Sequence, residues 1–168
     1  MTLTVRPAVE ADVDAIRAVG VATWPATYEA VAGREYVAQG LERWWSAEAV
    51  RDSIGRGGVF VAALDGVVVG MASVGERDGA PYLWKLYILP DRQGLGAGSA
   101  LLDAVIASLP DDSMRLGLDY VDGNERAAAF YRARGFRVTG RTPSPLGVGP
   151  DEILMELPLA GRPPRRTP

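Results

Sequence analysis

A glycine-rich turn between two apolar segments constrains the fold of this chain more than any other stretch. Residues Leu86 to Leu89 form an apolar run typical of a strand, Pro90 stops it, and three glycines alternate over residues 94–98. Apolar residues between Leu101 and Leu109 then recur at the spacing of a helix face. Alternating glycines leave backbone N–H groups unobstructed, and the first N–H groups of a helix are unpaired and carry the positive end of its dipole. The pattern therefore predicts a phosphate or pyrophosphate site.

The residues that the turn lacks help to decide which phosphate ligand it could bind. A nucleoside-triphosphate loop needs a lysine at its end, but the single lysine of the chain, Lys85, lies upstream of the turn. A dinucleotide fingerprint counted from Gly94 needs its third glycine where Ser99 stands. The dinucleotide fingerprint also needs an acidic residue about 20 residues further on, and Asp119 supplies it. Dinucleotide binding therefore stays open as the alternative.

The composition removes several kinds of chemistry. The chain has no cysteine and no histidine, which excludes disulfides, a cysteine nucleophile, a Ser-His-Asp triad and every zinc site built on these residues. Acid–base work must then come from Asp, Glu, Tyr or Lys, and no metal is expected. A net charge of −3 weakly disfavours nucleic acid as a partner and favours a cationic substrate. Without a signal peptide or an apolar run of about 18 residues, a cytoplasmic protein with no membrane contact is expected.

The chain of 168 residues has the length of one domain. The sequence predicts strands over residues 2–6, 59–64, 67–74, 82–89, 115–121, 136–141 and 151–157. It predicts helices from Glu10 to about Val21, over residues 35–54, after the glycine turn and after Asn124. This order indicates an α/β (α+β) fold with a mixed, mostly antiparallel central sheet of about seven strands flanked by helices. Residues 1–158 would form the domain, and the basic, proline-rich residues 159–168 a disordered tail.

Two motifs carry a family resemblance. Residues 93–98, Gln-Gly-Leu-Gly-Ala-Gly, resemble the Gln/Arg-x-x-Gly-x-Gly/Ala coenzyme A loop of the Gcn5-related N-acetyltransferases (GNAT). Residues 124–136 are similar to the Asn-x-x-Ala-x-x-Phe-Tyr-x-x-x-Gly-Phe segment of the same family, with every position filled. The element order β-α-α-β-β-β-α-β-α-β-β is also that of the family. A dinucleotide-binding domain would instead need repeated parallel βαβ units.

The resemblance implies acetyl-CoA as the cofactor, with its pyrophosphate on the amides of residues 94–99. The strand before the turn would splay from its neighbour, so that its free backbone groups hold the pantetheine arm and polarise the carbonyl. Asn124 would contact the pantetheine or orient the site. The expected cofactor-binding residues are Leu86, Tyr87, Ile88, Gln93, Gly94, Leu95, Gly96, Ala97, Gly98, Ser99, Asn124 and Tyr131.

The resemblance also assigns catalytic roles. Tyr131 matches the general acid, because a phenol is protonated at neutral pH and can give its proton to a departing thiolate. A core tyrosine is the structural alternative. Asp119 is the first candidate for the general base, five residues before Asn124, where some family members place a glutamate. Glu76 at the end of the third strand competes with it, and solvent is a further alternative.

The acceptor is expected to be a primary amine on a small molecule or on a protein or peptide. Aromatic residues around Trp24 and Tyr28 either pack helices against the sheet or line an acceptor pocket, and Tyr82 and Trp84 are counted with them. Without cysteine, transfer would be direct, in a ternary complex. A homodimer is compatible with the sequence. A fold that binds acyl-CoA as a sensor, without catalysis, is the alternative function.

Overall fold

The computed structural model describes residues 1–161, which form seven strands and five α-helices. The strands are β1 (Leu3–Pro7), β2 (Val59–Leu64), β3 (Val67–Arg77), β4 (Ala80–Ile88), β5 (Arg115–Val121), β6 (Arg137–Thr142) and β7 (Glu152–Pro158). The helices are α1 (Val13–Ala32), α2 (Arg34–Trp45), α3 (Ala47–Arg56), α4 (Ala97–Ser108) and α5 (Glu125–Ala133). Short 3-10 turns, Glu10–Asp12 and Pro90–Arg92, precede α1 and α4.

The strands form one sheet in the order β1-β2-β3-β4-β5-β7-β6. Every neighbouring pair is antiparallel except β4 and β5. The tight turn between β2 and β3 has positive φ angles at Asp65 (48°) and Gly66 (83°), as the predicted hairpin requires. The predicted fold class is confirmed. The single parallel pair in the described sheet does not support the repeated parallel units of a dinucleotide-binding domain.

Helices cover both faces of the sheet and enclose two apolar cores. On one face α1, α2 and α3 pack around buried side chains such as Ile16 and Trp45. On the other face α4 and α5 pack around Leu101, Leu102 and Leu116, all fully buried. Because β4 and β5 lie at the middle of the sheet, any gap between them opens between these two cores.

Helix α1 is longer than the sequence predicted. It continues through Pro25 to Ala32 instead of ending near Val21. The proline removes the hydrogen bond to the carbonyl of Val21, which lies on an exposed turn where water can serve it. The apolar face meanwhile continues through Trp24 and Tyr28, and their burial stabilises the extra turns.

The predicted helix over residues 35–54 is two helices, α2 and α3. They meet at Ser46, whose backbone is extended (φ −62°, ψ 157°). Its hydroxyl oxygen accepts a hydrogen bond from the Ala49 N–H at 3.2 Å, which caps α3. The two last carbonyls of α2 also have partners: Lys85 donates to Trp44 O and Arg17 to Trp45 O. The break therefore has a capping residue on one side and two cations on the other.

The C-terminal end of the domain is packed as far as Leu159. This side chain is 8% exposed, and its N–H donates to the Met114 carbonyl at 2.8 Å. Most of the predicted tail, residues 162–168, lies outside the described residues. No helix within residues 1–161 is long and apolar enough to cross a membrane.

Candidate active site

Strands β4 and β5 separate after two paired positions. Tyr82 pairs with Gly117 and Leu83 with Leu118, and the pairing of the two strands ends at these positions. At the next residue β4 has a bulge on its other edge, because Ser73 pairs with Lys85 and Val74 with Leu83, which leaves Trp84 as the extra residue. A bulge bends its strand and increases the local twist. The bend explains why β4 leaves β5 at this point, as the resemblance implied.

A cleft of about 500 Å³ occupies this gap. Of the expected cofactor-binding residues it is lined by Leu86, Tyr87, Ile88, Gln93, Gly94, Gly96, Ala97, Gly98, Ser99, Asn124 and Tyr131. Leu95 is the exception, since it does not line the cleft and its side chain is 41% exposed. The two sequence motifs therefore meet at one cleft, although a strand separates them in the chain.

The glycine turn and the uncapped start of α4 line the cleft. Gly94 and Gly96 have φ angles of 80° and 86°, which only glycine adopts without strain, and a Cβ at either position would meet open space. Helix α4 begins directly after Gly96 with no side-chain cap. The turn is tied to β4 by Gln93, whose Nε2 donates to the Ile88 carbonyl at 3.2 Å. Such a turn can bind an anion through backbone N–H groups and the helix dipole.

Helix α5 positions Asn124 and Tyr131. Asn124 caps the helix, since its Oδ1 accepts the Ala127 N–H at 3.2 Å, and its amide NH₂ is left for other partners. Tyr131 is 8% exposed, and burial raises the pKa of its phenol well above the ordinary value. Within residues 1–161 no protein group hydrogen bonds its hydroxyl, which lies at the cleft as a protonated donor.

Asp119 reaches the same cleft from β5. Its Oδ2 accepts a hydrogen bond from the Tyr82 hydroxyl at 2.7 Å, and Arg77 Nη1 lies 3.6 Å from the same oxygen. Arg77 also donates to the Tyr82 oxygen at 2.9 Å. Burial raises the pKa of the Asp119 carboxyl, although Tyr82 and Arg77 act in the opposite direction. The group is thus a stronger base than an ordinary aspartate.

Two charged residues of this cluster, Arg77 and Glu152, were not found from the sequence. Glu152 is 9% exposed, and burial, together with the charge of Asp119, raises its pKa to about 7. Arg77 lies at the end of β3 and Glu152 at the start of β7, so only the sheet brings them to Asp119. In the sequence, each of them is only a charged residue at the end of a strand, and many surface residues have the same pattern.

Glu76 is not brought to the cleft. On β3 it lies on the same face as Ala72 and Val74, which pack in the core under α4, so it faces away from Asp119. It lines a separate groove with residues 108–110 and 112–115 instead. Of the candidate bases, Asp119 alone lines the cleft within the described residues.

The expected acceptor residues divide into three groups. Tyr28 and Trp84 line the cleft, and Trp84 is 49% exposed with its ring 4.6 Å from that of Tyr82. Tyr82 does not line the cleft but touches it through the hydrogen bond to Asp119. Trp24 is buried in the helical core, stacked on Tyr36 at 5.6 Å, and so has the packing role that the sequence left open.

The fold, with a cleft between β4 and β5 and a glycine turn beside it, is that of the acyl-CoA N-acyltransferases. The profile of the acetyltransferase (GNAT) family matches residues 19–136, and the chain belongs to this family. It is 32% identical over 142 residues to the uncharacterized N-acetyltransferase Rv2669 of Mycobacterium tuberculosis (strain ATCC 25618 / H37Rv), covering 81% of this chain and 90% of that protein.

Two solved structures have the same fold. A GCN5-related N-acetyltransferase from Rhodopseudomonas palustris superposes with a TM-score of 0.82 at 24% identity, covering 95% of this chain and 97% of that one. PaiA N-acetyltransferase from Thermoplasma acidophilum, solved in complex with coenzyme A, superposes with a TM-score of 0.79 at 21% identity. The latter match covers 94% of this chain and 99% of the other.

Proposed function

We propose that this protein transfers an acetyl group from acetyl-CoA directly to a primary amine. The observation that carries the proposal is the cleft between β4 and β5, whose lining combines the glycine turn, a buried phenol and a half-buried carboxyl. A dinucleotide site would account for the glycine turn but not for the separation of β4 and β5 beside it.

The residues present fit coenzyme A. The uncapped start of α4 and the open space in front of Gly94 and Gly96 suit a pyrophosphate. Arg92 and Arg126 also line the cleft and add positive charge for phosphate groups. The unpaired edge of β4 beyond Leu83 suits the amide groups of a pantetheine arm. The related structure with coenzyme A supports the same choice.

Bound acetyl-CoA would supply a thioester carbonyl open to attack by an amine. In this proposal Asp119 takes one proton from the acceptor ammonium, which frees the nitrogen lone pair to form the C–N bond. Tyr131 gives its hydroxyl proton to the sulfur as the C–S bond breaks, and regains a proton from the nitrogen. The proton on Asp119 then leaves to solvent. No covalent acetyl-enzyme is needed.

The surroundings of Asp119 favour an acceptor that is a cation at neutral pH. The carboxyl attracts an ammonium group, and the half-exposed ring of Trp84 offers an aromatic face beside Tyr82. We therefore favour a small-molecule amine with an apolar or aromatic body over a protein terminus.

Thermal unfolding with acetyl-CoA, free CoA and NAD tests the coenzyme first. A ligand at about 100 times its dissociation constant adds roughly 2.7 kcal/mol to the folded state, so the shift is easily seen. Both CoA species should raise the melting temperature, and NAD should not. A shift with NAD alone would overturn the proposal.

Thiol release with a panel of primary amines then tests the chemistry. Tyr131→Phe should lower kcat by about 100-fold or more while leaving the dissociation constant for acetyl-CoA unchanged. Tyr36→Phe makes the same chemical change at a buried tyrosine that does not line the cleft, and should leave both quantities unchanged. Full activity of Tyr131→Phe would contradict the role of the phenol.

A further inference from the structure

A second carboxyl lies behind Asp119. Asp119 on β5 pairs with Leu154 on β7, and Val121 pairs with Glu152, so Glu152 is the diagonal neighbour of Asp119 on the same face of the sheet. Diagonal neighbours are within reach of one another through long side chains. Glu152 does not line the cleft, whereas Asp119 does.

The two carboxyls have different surroundings. Asp119 has the Tyr82 hydroxyl at 2.7 Å and Arg77 at 3.6 Å, both of which stabilise a negative charge on it. Glu152 forms no ion pair in the part of the chain that the structure describes, and its residue is 9% exposed. Two carboxyls placed this way cannot both ionise freely, so the pair retains one proton in the range where separate groups would have none.

The other titratable groups that interact electrostatically with the two carboxyls lie on the strands and helices packed around them. They are Arg77 of β3, Tyr82 of β4, Tyr28 of α1, Tyr36 of α2 and Tyr131 of α5. The tyrosines are neutral at neutral pH, because burial raises the pKa of each one. On β6, Arg141 is engaged with Asp122 and Asp151. Arg77 is therefore the one cation of residues 1–161 that acts on both carboxyls.

We infer that Asp119 and Glu152 form a proton-sharing pair, in which Glu152 keeps the shared proton and Asp119 keeps the negative charge. Glu152 is a positioning residue, since it acts on the acceptor only through Asp119. The inference rests on the proposed function. An acceptor N–H bond breaks with its electron pair left on nitrogen, and the proton forms an O–H bond on Asp119. Glu152 retains its own proton in this step.

The protonation state of Glu152 then determines how strong a base Asp119 is, so the basicity of Asp119 depends on pH. Protonated Glu152 stabilises the charge on Asp119. When Glu152 loses its proton, near pH 7, the pair carries two negative charges. Asp119 then becomes a stronger base and a stronger ligand for an ammonium group.

Carbon-13 NMR of the side-chain carboxyls tests the pair without turnover. In the unmodified protein a glutamate should titrate near pH 7. Glu152→Gln should remove that step and leave a single step for Asp119. Glu156→Gln is the matched control, because Glu156 lies four residues along the same strand and face, paired with Arg115 at 3.5 Å. The inference is overturned if Glu152 titrates like an ordinary glutamate, near about pH 4.3.

The pH profile of kcat/KM for one amine acceptor gives the functional readout. Glu152→Gln should leave activity at about pH 6 nearly unchanged and lower it about tenfold at about pH 8, as expected for one unit of lost basicity. Glu156→Gln should follow the unmodified protein, and the acetyl-CoA dissociation constant should not change in either variant. An unaltered profile in Glu152→Gln would overturn the inference. If the unmodified protein acetylates no amine, the proposed function fails, and the NMR titration alone decides the pair.

Discussion

At the scale of single residues, two helical glycines permit the aromatic packing of the helical core. A Cβ on Gly40 of α2 would lie 2.0 Å from the ring of Trp24, and a Cβ on Gly20 of α1 would lie 2.2 Å from the ring of Trp45. Both rings are buried and rigid. Glycine is needed here for close approach between helices, not for its backbone conformation, and a sequence pattern does not distinguish these cases.

The variant Gly40→Ala should therefore destabilise the protein by about 1–3 kcal/mol, the usual cost of overpacking. Helix propensity acts the other way by about 1 kcal/mol but is smaller than the clash. Gly55→Ala is the matched control, because Gly55 lies in α3 with nothing near its Cβ, and it should stabilise by about 0.5–1 kcal/mol. Denaturant unfolding measures both. Equal effects of the same sign would show that backbone propensity, not the Trp24 contact, decides.

At the scale of elements, β4 and the turn after it build the site. The bulge at Trp84 divides β4 into a half that pairs with β5 and a half that leaves it. The next element, α4, follows a glycine with positive φ and has no side-chain cap, and its first residues line the same cleft. Neither part makes a binding site alone: a flat strand would leave no gap, and a capped helix would offer no free N–H groups.

The variant Gly96→Ala should weaken acetyl-CoA binding about tenfold. An alanine at φ 86° costs about 1–2 kcal/mol, and relief of that strain would turn the N–H groups away from the phosphate. Gly79→Ala imposes a comparable strain (φ 77°) in a turn outside the cleft, and should lower stability without changing affinity. Isothermal titration of both variants gives the comparison. If the two lose affinity equally, the turn at Gly96 has no direct part in binding.

At the scale of the whole molecule, the sheet and helices enclose five of the six tyrosines so that their hydroxyls resist ionisation. Burial raises the pKa of Tyr28 to about 12 and raises those of Tyr36, Tyr82, Tyr87 and Tyr131 further. Above about pH 10 the unfolded chain loses these protons and the folded protein keeps them. The folded state then binds more protons, so stability must fall as pH rises.

We expect the free energy of unfolding to fall steeply above about pH 10, by roughly 1.4 kcal/mol per pH unit for each tyrosine that stays protonated. Lys85 acts in the opposite direction at lower pH, because burial lowers its pKa to about 8 and the unfolded chain binds the extra proton. Denaturant unfolding across this range measures the slope. Tyr28→Phe should reduce it by about one proton, and tyrosinate absorbance should appear together with unfolding. Tyrosines that ionise near pH 10 in a protein that remains folded would refute this account.

The sequence predicted the strands most accurately, because period-two patterns and turn residues are local. Helix limits were less accurate: the first helix was predicted to end near Val21, but tertiary burial of Tyr28 extends α1 through Pro25 to Ala32. In the site, motif residues such as Tyr131 and Asn124 reach the cleft as expected. Arg77 and Glu152 could not be found, since each acts through a contact between strands far apart in the chain.

Local chemistry in the sequence determined the glycine turn, the helix starts and the acids and phenols that are present, because these depend on near neighbours. Only the tertiary structure decided that Asp119 lines the cleft and that Glu152 lies behind it. Asp119 and Glu76 look alike in the chain, but the sheet exposes one to the cleft and turns the other to the opposite face. The physical reason is that burial and the charges nearby set the pKa of a group, and both come from strand order.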